Sequence, residues 1–312
     1  MERGYEISVL DHGYVRLVDW MGSDEAIVEA ARMSTGRGFV SWESYGRCKG
    51  CNQTAPLVRT EFQHDAECIK RGGGFETFPR GDLGLLDTMY RNHHATPFEF
   101  GELHVEVQAP IMVYREWHRH RTQSYSEFSA RYSQMPDLHY VPAPERIQKQ
   151  NATNRQGSGE AFDAEYAGRV VNEIGAEQRE VYARYEALIE DGVAKEVARV
   201  NTPVSRYSKM RAKTDLRNWL AFLLLRTAPA AQWEIRQYAL AVAEIVRALW
   251  PRTYALFEEY DLRGVHLSRT EARRLAEFFA AQGTVSGADF GGDERAGMAL
   301  LLKLGFAPGK AT

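Results

Sequence analysis

Leu103-His104-Val105-Glu106-Val107 alternates apolar and polar residues without interruption, and Pro110 then precedes Ile111-Met112-Val113-Tyr114. A period of two places every apolar side chain on one face, so the segment predicts a strand with one face buried. Pro110 suits the first turn of a helix over residues 111–118. Upstream, residues 7–20 with the turn signal Asp11-His12-Gly13 predict a strand or hairpin, and residues 24–33 a short helix. Leu83, Leu85, Leu86, Met89 and Tyr90 return to helical spacing before Asn92-His93-His94, and Pro97 marks a break. Downstream, residues 138–141 are a short strand candidate, and residues 148–160, rich in Asn, Gln, Ser and Gly, predict a loop. Phe162, Tyr166, Val170, Ile174, Val181, Tyr185 and Leu188 mark a long amphipathic helix closed by Asp191-Gly192. Thr214 or Asp215 can cap a helix running to Arg226, and residues 233–250 form another before Pro251. The expected class is α+β: an antiparallel sheet packed against several long helices. The main domain spans residues 1–264, and residues 265–312 form a C-terminal helical extension opened by the capping-box pattern Ser268-Arg269-Thr270-Glu271.

Composition sets outer limits. With 312 residues, 44% hydrophobic and 26% charged, the chain can bury a sizeable core and is not disordered as a whole. The longest apolar run in its C-terminal half, residues 219–225 between Arg217 and Arg226, is far short of the roughly 20 residues of a membrane span. The start lacks the basic and apolar regions of a secretory signal, so the expected compartment is the reducing cytoplasm, where disulfides are rare. A net charge of -3 gives no global attraction to nucleic acid or to an anionic membrane surface.

Local chemistry concentrates at residues 115–133, which hold four arginines, two histidines, Glu116, Glu127 and several hydroxyls. Such a set can bind more than one anionic group and still orient a planar ring; the alternative is a solvated basic surface or an RNA-contacting loop. Residues 36–82 differ in character and form an insertion that contains all three cysteines. Cys48 and Cys51 are two apart, His64 follows after twelve residues, and Cys68 after three more. That spacing suits a tetrahedral structural zinc, against the alternative of three free thiols in a loop.

Arg119-His120-Arg121, then Ser129 after seven residues, then Arg131-Tyr132, resembles the RHR-x7-S motif of the flavin-dependent thymidylate synthases. Ala30-Ala31-Arg32-Met33-Ser34, His94-Ala95-Thr96-Pro97-Phe98-Glu99, Glu196-Val197-Ala198-Arg199, Leu225-Arg226 and Ala231-Gln232-Trp233-Glu234-Ile235 occur in that family's order and spacing. The resemblance covers residues 5–35 and 83–260. It implies a homotetramer with active sites shared between subunits, binding FAD and dUMP. Methylenetetrahydrofolate would donate carbon to uracil C5 and NADPH would be the reductant, giving dTMP.

By the same resemblance, Glu116, Arg119, Glu127, Ser129, Arg131, Arg199 and Arg226 map to nucleotide contacts. Ser34, His94, Thr96, Arg119, His120, Arg121, Glu127, Asp215 and Arg217 map to flavin contacts. Arg226 and Ser129 form the catalytic set: Arg226 favours ionised uracil N3, which makes C5 a better nucleophile, and Ser129 orients the substrate. A guanidinium about 4 Å away at an effective dielectric near 20 contributes roughly 4 kcal/mol, about 3 pKa units. The unrelated class of thymidylate synthase activates uracil with a cysteine thiolate. Here every cysteine lies in the insertion, distant in sequence from the motifs.

Three positions depart from the family pattern. Glu116 stands where glutamine is frequent, Ser126 where asparagine is frequent, and Ala221 where an asparagine or histidine often reaches the flavin. They leave open a related C5 modification of UMP or dUMP in a phage or antibiotic pathway. A different class of reading is a catalytically inactive nucleic-acid-binding module, disfavoured by the negative net charge and the lack of an aromatic-interleaved basic run.

Overall fold

In chain order, β1 (Glu6–Val9) and β2 (Gly13–Met21) form an antiparallel hairpin, followed by α1 (Asp24–Arg32). The computed structural model describes residues 1–58, 61–62, 66–151, 157–281 and 300. The insertion contains β3 (Tyr45–Cys48), β4 (Thr54–Val58), β5 (Glu61–Phe62), α2 (Ala66–Arg71) and β6 (Phe75–Phe78). Next come α3 (Gly81–Arg91), β7 (Glu102–Pro110), α4 (Ile111–Trp117), β8 (Ser124–Glu127), β9 (Gln148–Gln150) and β10 (Ser158–Ala161). The remainder is α5 (Ala164–Glu190), α6 (Lys195–Ala198), β11 (Tyr207–Asp215), α7 (Leu216–Arg226), α8 (Trp233–Leu249), α9 (Pro251–Phe257) and α10 (Arg269–Ala281). The class is α+β, as expected.

The main sheet has the order β1-β2-β7-β11-β8, antiparallel throughout. The alternating segment is its central strand, β7. Val105 lies opposite Leu17 of β2 and Ala212 of β11 in register, and all three are buried. Their face packs on Trp219 and Phe222 of α7 and on Ile235, Tyr238, Val242 and Ile245 of α8 in one core. Each fully buried Val or Leu contributes about 1.5–3 kcal/mol, so this layer dominates stability. Gly13 is required where β2 meets α8: a Cβ there would lie 1.9 Å from the Tyr238 hydroxyl, which donates to the Gln108 carbonyl at 2.9 Å.

Several sequence expectations are corrected. Residues 138–141 are not a strand; they contribute one isolated bridge, His139 to Arg206. Residues 148–160 are not wholly loop, because β9 and β10 pair at their two ends. Pro110 ends β7 and stands at the N-cap of α4 rather than inside its first turn. The insertion folds into its own four-stranded sheet, order β5-β4-β3-β6, with strands of two to five residues.

Residues 1–262 form one compact unit and residues 263–312 a second. In the second, Glu271 N donates to Ser268 Oγ at 3.3 Å and Ser268 N to Glu271 Oε2 at 2.8 Å, the reciprocal bonds of a capping box. Among the described residues no helix is long and apolar enough to cross a membrane.

Candidate active site

Trp117, the last residue of α4, is fully buried with its ring centroid 4.7 Å from Phe222 and 6.2 Å from Trp219 on α7. This packing fixes the end of α7 beside the turn that follows α4. Arg226, the final residue of α7, therefore reaches residues more than a hundred positions earlier. Its Nη1 donates to Glu116 Oε2 at 2.8 Å, its Nη2 to the Glu116 carbonyl at 2.8 Å, and its Nε to His120 Nε2 at 2.9 Å. All three guanidinium nitrogens are engaged, and the side chain is only 15% exposed.

His120 is half-buried, with its ring edge-on to Phe222 at 4.8 Å. Burial, and secondarily the Arg226 charge, pull its pKa down to about 4, with Glu116 opposing. Because Nε2 accepts from Arg226, the neutral ring carries its proton on Nδ1. The His120 carbonyl accepts from the Tyr125 hydroxyl at 2.7 Å, which pins the turn. Arg119 and Arg121 on either side are exposed, and neither has a hydrogen bond or ion pair to another described residue.

Beyond the turn, β8 carries Glu127 opposite Met210 of β11. Ser208 Oγ donates to Glu127 Oε1 at 3.0 Å. The Ser129 carbonyl accepts from Tyr132 N and Ser133 N, both at 3.1 Å, and its Oγ accepts from Arg131 N at 3.3 Å. Arg131 Nε donates to Glu196 Oε2 of α6 at 3.0 Å, a solvent-exposed pair of small energetic weight. Arg199 opens the 3-10 turn after α6, and among the described residues its side chain has no hydrogen-bonding partner.

Of the nine residues expected at a flavin, His94 and Arg217 line one cavity and Ser34 lines another. The first, about 270 Å³, is lined by His94, Phe98, Arg217, Leu220 and Ala221 among others. Arg217 Nη1 donates to Glu99 Oε1 at 2.6 Å, and Thr96 opens the 3-10 turn that carries Glu99. Asp215 caps α7, accepting from Asn218 N at 2.9 Å and Asn218 Nδ2 at 2.7 Å. The other cavity, about 510 Å³, is lined by Ser34, Thr35, Arg37, Tyr45 and Arg47 among others. Glu116, His120 and Arg226 thus touch directly, and His94 shares a cavity with Arg217. Ser34 faces a different cavity. The sequence reading missed Ser208, whose only signal was its place in the unrecognised alternation of β11.

Within the insertion the ligand atoms of Cys48, Cys51 and Cys68 all lie within 4.8 Å of one another, and none of the three is in a disulfide. His64, the fourth ligand expected from the spacing, lies outside the described residues.

The family model described as Thymidylate synthase complementing protein matches residues 16–252. A flavin-dependent thymidylate synthase of Thermus thermophilus is 42% identical over 275 residues, covering 88% of this chain and 86% of the relative. One from Wolbachia pipientis is 39% identical over 265 residues, 85% of this chain and 80% of the relative. Among solved structures, a UMP/dUMP methylase, PolB, from Streptomyces cacaoi bound with 5-Br UMP superposes with a TM-score of 0.63 at 27% identity. That match covers 82% of this chain and 98% of the other. The residues gathered around Arg226 are those of the matched region, and the chain belongs to the Thy1 family, that of the flavin-dependent thymidylate synthases.

Proposed function

We propose that the chain reductively methylates uracil C5 of dUMP to give dTMP, with FAD as cofactor, methylenetetrahydrofolate as carbon donor and NADPH as reductant. The observation that carries this reading is Arg226, at the end of α7, held by all three nitrogens against the arginine-rich turn. Its fixed charge beside uracil N3 stabilises the ionised ring and makes C5 the better nucleophile. Glu116 contacts the nucleotide from the same cluster and moderates that charge. Arg119, Arg131 and Arg199 bind the nucleotide phosphate, and Ser129 and Glu127 orient the sugar and base.

The donor chemistry fits a flavin dinucleotide: Arg119 and Arg121 are cations with no acidic partner among the described residues, as a diphosphate carrying roughly two negative charges requires. Neutral His120 offers an Nδ1–H donor. Ser34, His94, Thr96, Glu127, Asp215 and Arg217 complete the contact set. When bound, the flavin supplies the hydride that reduces the transferred carbon.

Assembly into a homotetramer accounts for the division of these residues between separate surfaces. Tyr132, Val200 and Leu225 are 79%, 73% and 60% exposed, and each neighbours a site arginine in sequence. Such apolar side chains are the kind that subunit association covers. Three cysteines without a disulfide fit a reducing, cytoplasmic setting.

A second reading, C5 methylation of UMP, is left open by Ala221, which brings no polar reach to the cavity lined by His94 and Arg217. The related PolB structure, a UMP/dUMP methylase, keeps that reading open. The proposal is tested by purifying the protein with its flavin and titrating dUMP while recording the flavin spectrum. A saturable spectral change, with flavin retention lost in an R119A/R121A double variant, is expected; a colourless protein that takes up no added FAD contradicts it.

A further inference from the structure

The insertion contains a second site, unrelated to the arginine cluster. Cys48 ends β3 and Cys51 sits in the turn to β4. That turn is tight: Asn52 N donates to the Cys48 carbonyl and Cys48 N to the Gln53 carbonyl, both at 2.9 Å, with Asn52 in the left-handed region at φ 62°.

Cys68 comes from a different element, the third residue of α2. Its approach is built in by two glycines. A Cβ on Gly72 would lie 2.2 Å from Gly50 N, and one on Gly50 would lie 3.0 Å from the Cys68 carbonyl. Lys49 N donates to the Gly74 carbonyl at 3.1 Å, closing the same contact from the far side of α2. The chain has excluded side chains here so that the turn and the helix touch.

The resulting sulfur spacing suits a shared metal ion. Cys48 Sγ lies 3.7 Å from Cys68 Sγ, and all three sulfurs fall within 4.8 Å. A disulfide would need about 2.05 Å. Tetrahedral zinc with Zn–S bonds of about 2.3 Å places its thiolates roughly 3.8 Å apart.

We propose that Cys48, Cys51 and Cys68 bind one zinc ion per chain as thiolates, clamping the β3–β4 turn to α2. The fourth position falls to a donor other than cysteine. Binding releases the thiol protons to solvent, with no change of redox state at metal or sulfur. The clamp replaces the hydrophobic core that strands of two to five residues do not supply. It also fixes β3, whose other end carries Tyr45. The Tyr45 hydroxyl accepts from Arg32 Nη2 at 2.6 Å, tying the insertion to α1.

The test is elemental analysis of the full-length protein purified without chelator, beside C48S and C68S. One zinc per chain in the parent, falling at least tenfold in both variants while flavin content per chain is unchanged, is the expected result. Because the variants can lose the insertion's fold, cobalt exchange into the parent is the second arm. Cobalt should give sulfur-to-metal charge-transfer absorption and the intense visible bands of a tetrahedral site. Hydrogen exchange should then speed up in β3 on chelation, with β7 unchanged. Three rapidly reacting thiols in a zinc-exposed parent with no bound metal, or a mass two hydrogen atoms lower showing a disulfide, would overturn the proposal.

Discussion

Arg226 and Glu116 are joined twice, through the carboxylate and through the backbone carbonyl, each at 2.8 Å. One residue therefore both positions the guanidinium and subtracts from its charge. Glu116→Gln keeps the carbonyl bond and removes the offset, so with Arg226 in its proposed place the field at uracil N3 should rise. The ionised base then forms at lower pH, and the acidic limb of the kcat/KM profile for dUMP should move down by about one pH unit. An unmoved limb would show that Glu116 does not oppose Arg226 during the reaction.

His120 should be neutral throughout the physiological range. Its folded pKa of about 4 lies below the ordinary 6.5, so the folded state binds fewer protons than the unfolded state between these values. Stability from this site is complete above about pH 6.5 and is lost as pH falls toward 4. Nitrogen-15 NMR of the imidazole should show the Nδ1–H tautomer at pH 7. In Arg226→Ala the pKa should rise, because one of the two depressing influences is gone.

Asp215 has a structural duty beside its proposed cofactor contact. As the N-cap of α7 it satisfies an otherwise orphaned N–H, so Asp215→Ala should cost about 1 kcal/mol. In a domain of this size that is roughly 2–4 °C in Tm. Asp215→Asn should recover most of the stability, since its side-chain oxygen still caps. Equal losses in the two variants by calorimetry would argue against the capping role.

Gly13→Ala should be more damaging than any of these. The new methyl would overlap the Tyr238 hydroxyl and lies 2.6 Å from the Val9 carbonyl, so the β1–β2 turn and α8 must separate. A loss of about 3 kcal/mol is expected in urea unfolding. Tyr238→Phe in the same background should recover part of it.

The sequence disclosed elements whose burial pattern is strong and hid those whose pattern is weak. β7 was legible because Leu103, Val105 and Val107 are large and fully buried. β11 alternates just as strictly, but its buried positions include Ser208, Met210 and Ala212, which are not strong strand formers. Lys209, Arg211 and Lys213 stand between them and break up any apolar run. β8 was missed because it is an edge strand on which only Tyr125 turns inward. Arg206 gave no signal either: it is 1% exposed, stacked 4.1 Å from the Tyr182 ring and hydrogen-bonded to the Pro136 carbonyl. At the site, the family resemblance pointed to Glu116, His120 and Arg226. It did not give their mutual contact, which depends on Trp117 packing against α7. The cysteine spacing pointed to a cluster, but the two glycines that bring Cys68 to the turn are visible only in three dimensions.

The most direct test of the central claim is a competition between dUMP and UMP for the purified protein supplied with FAD, NADPH and methylenetetrahydrofolate, with products identified by mass spectrometry. The account predicts dTMP in large excess over the ribonucleotide product, reduced about 100-fold or more in Arg226→Ala. Preferential methylation of UMP, or dTMP formation undiminished in Arg226→Ala, would contradict it.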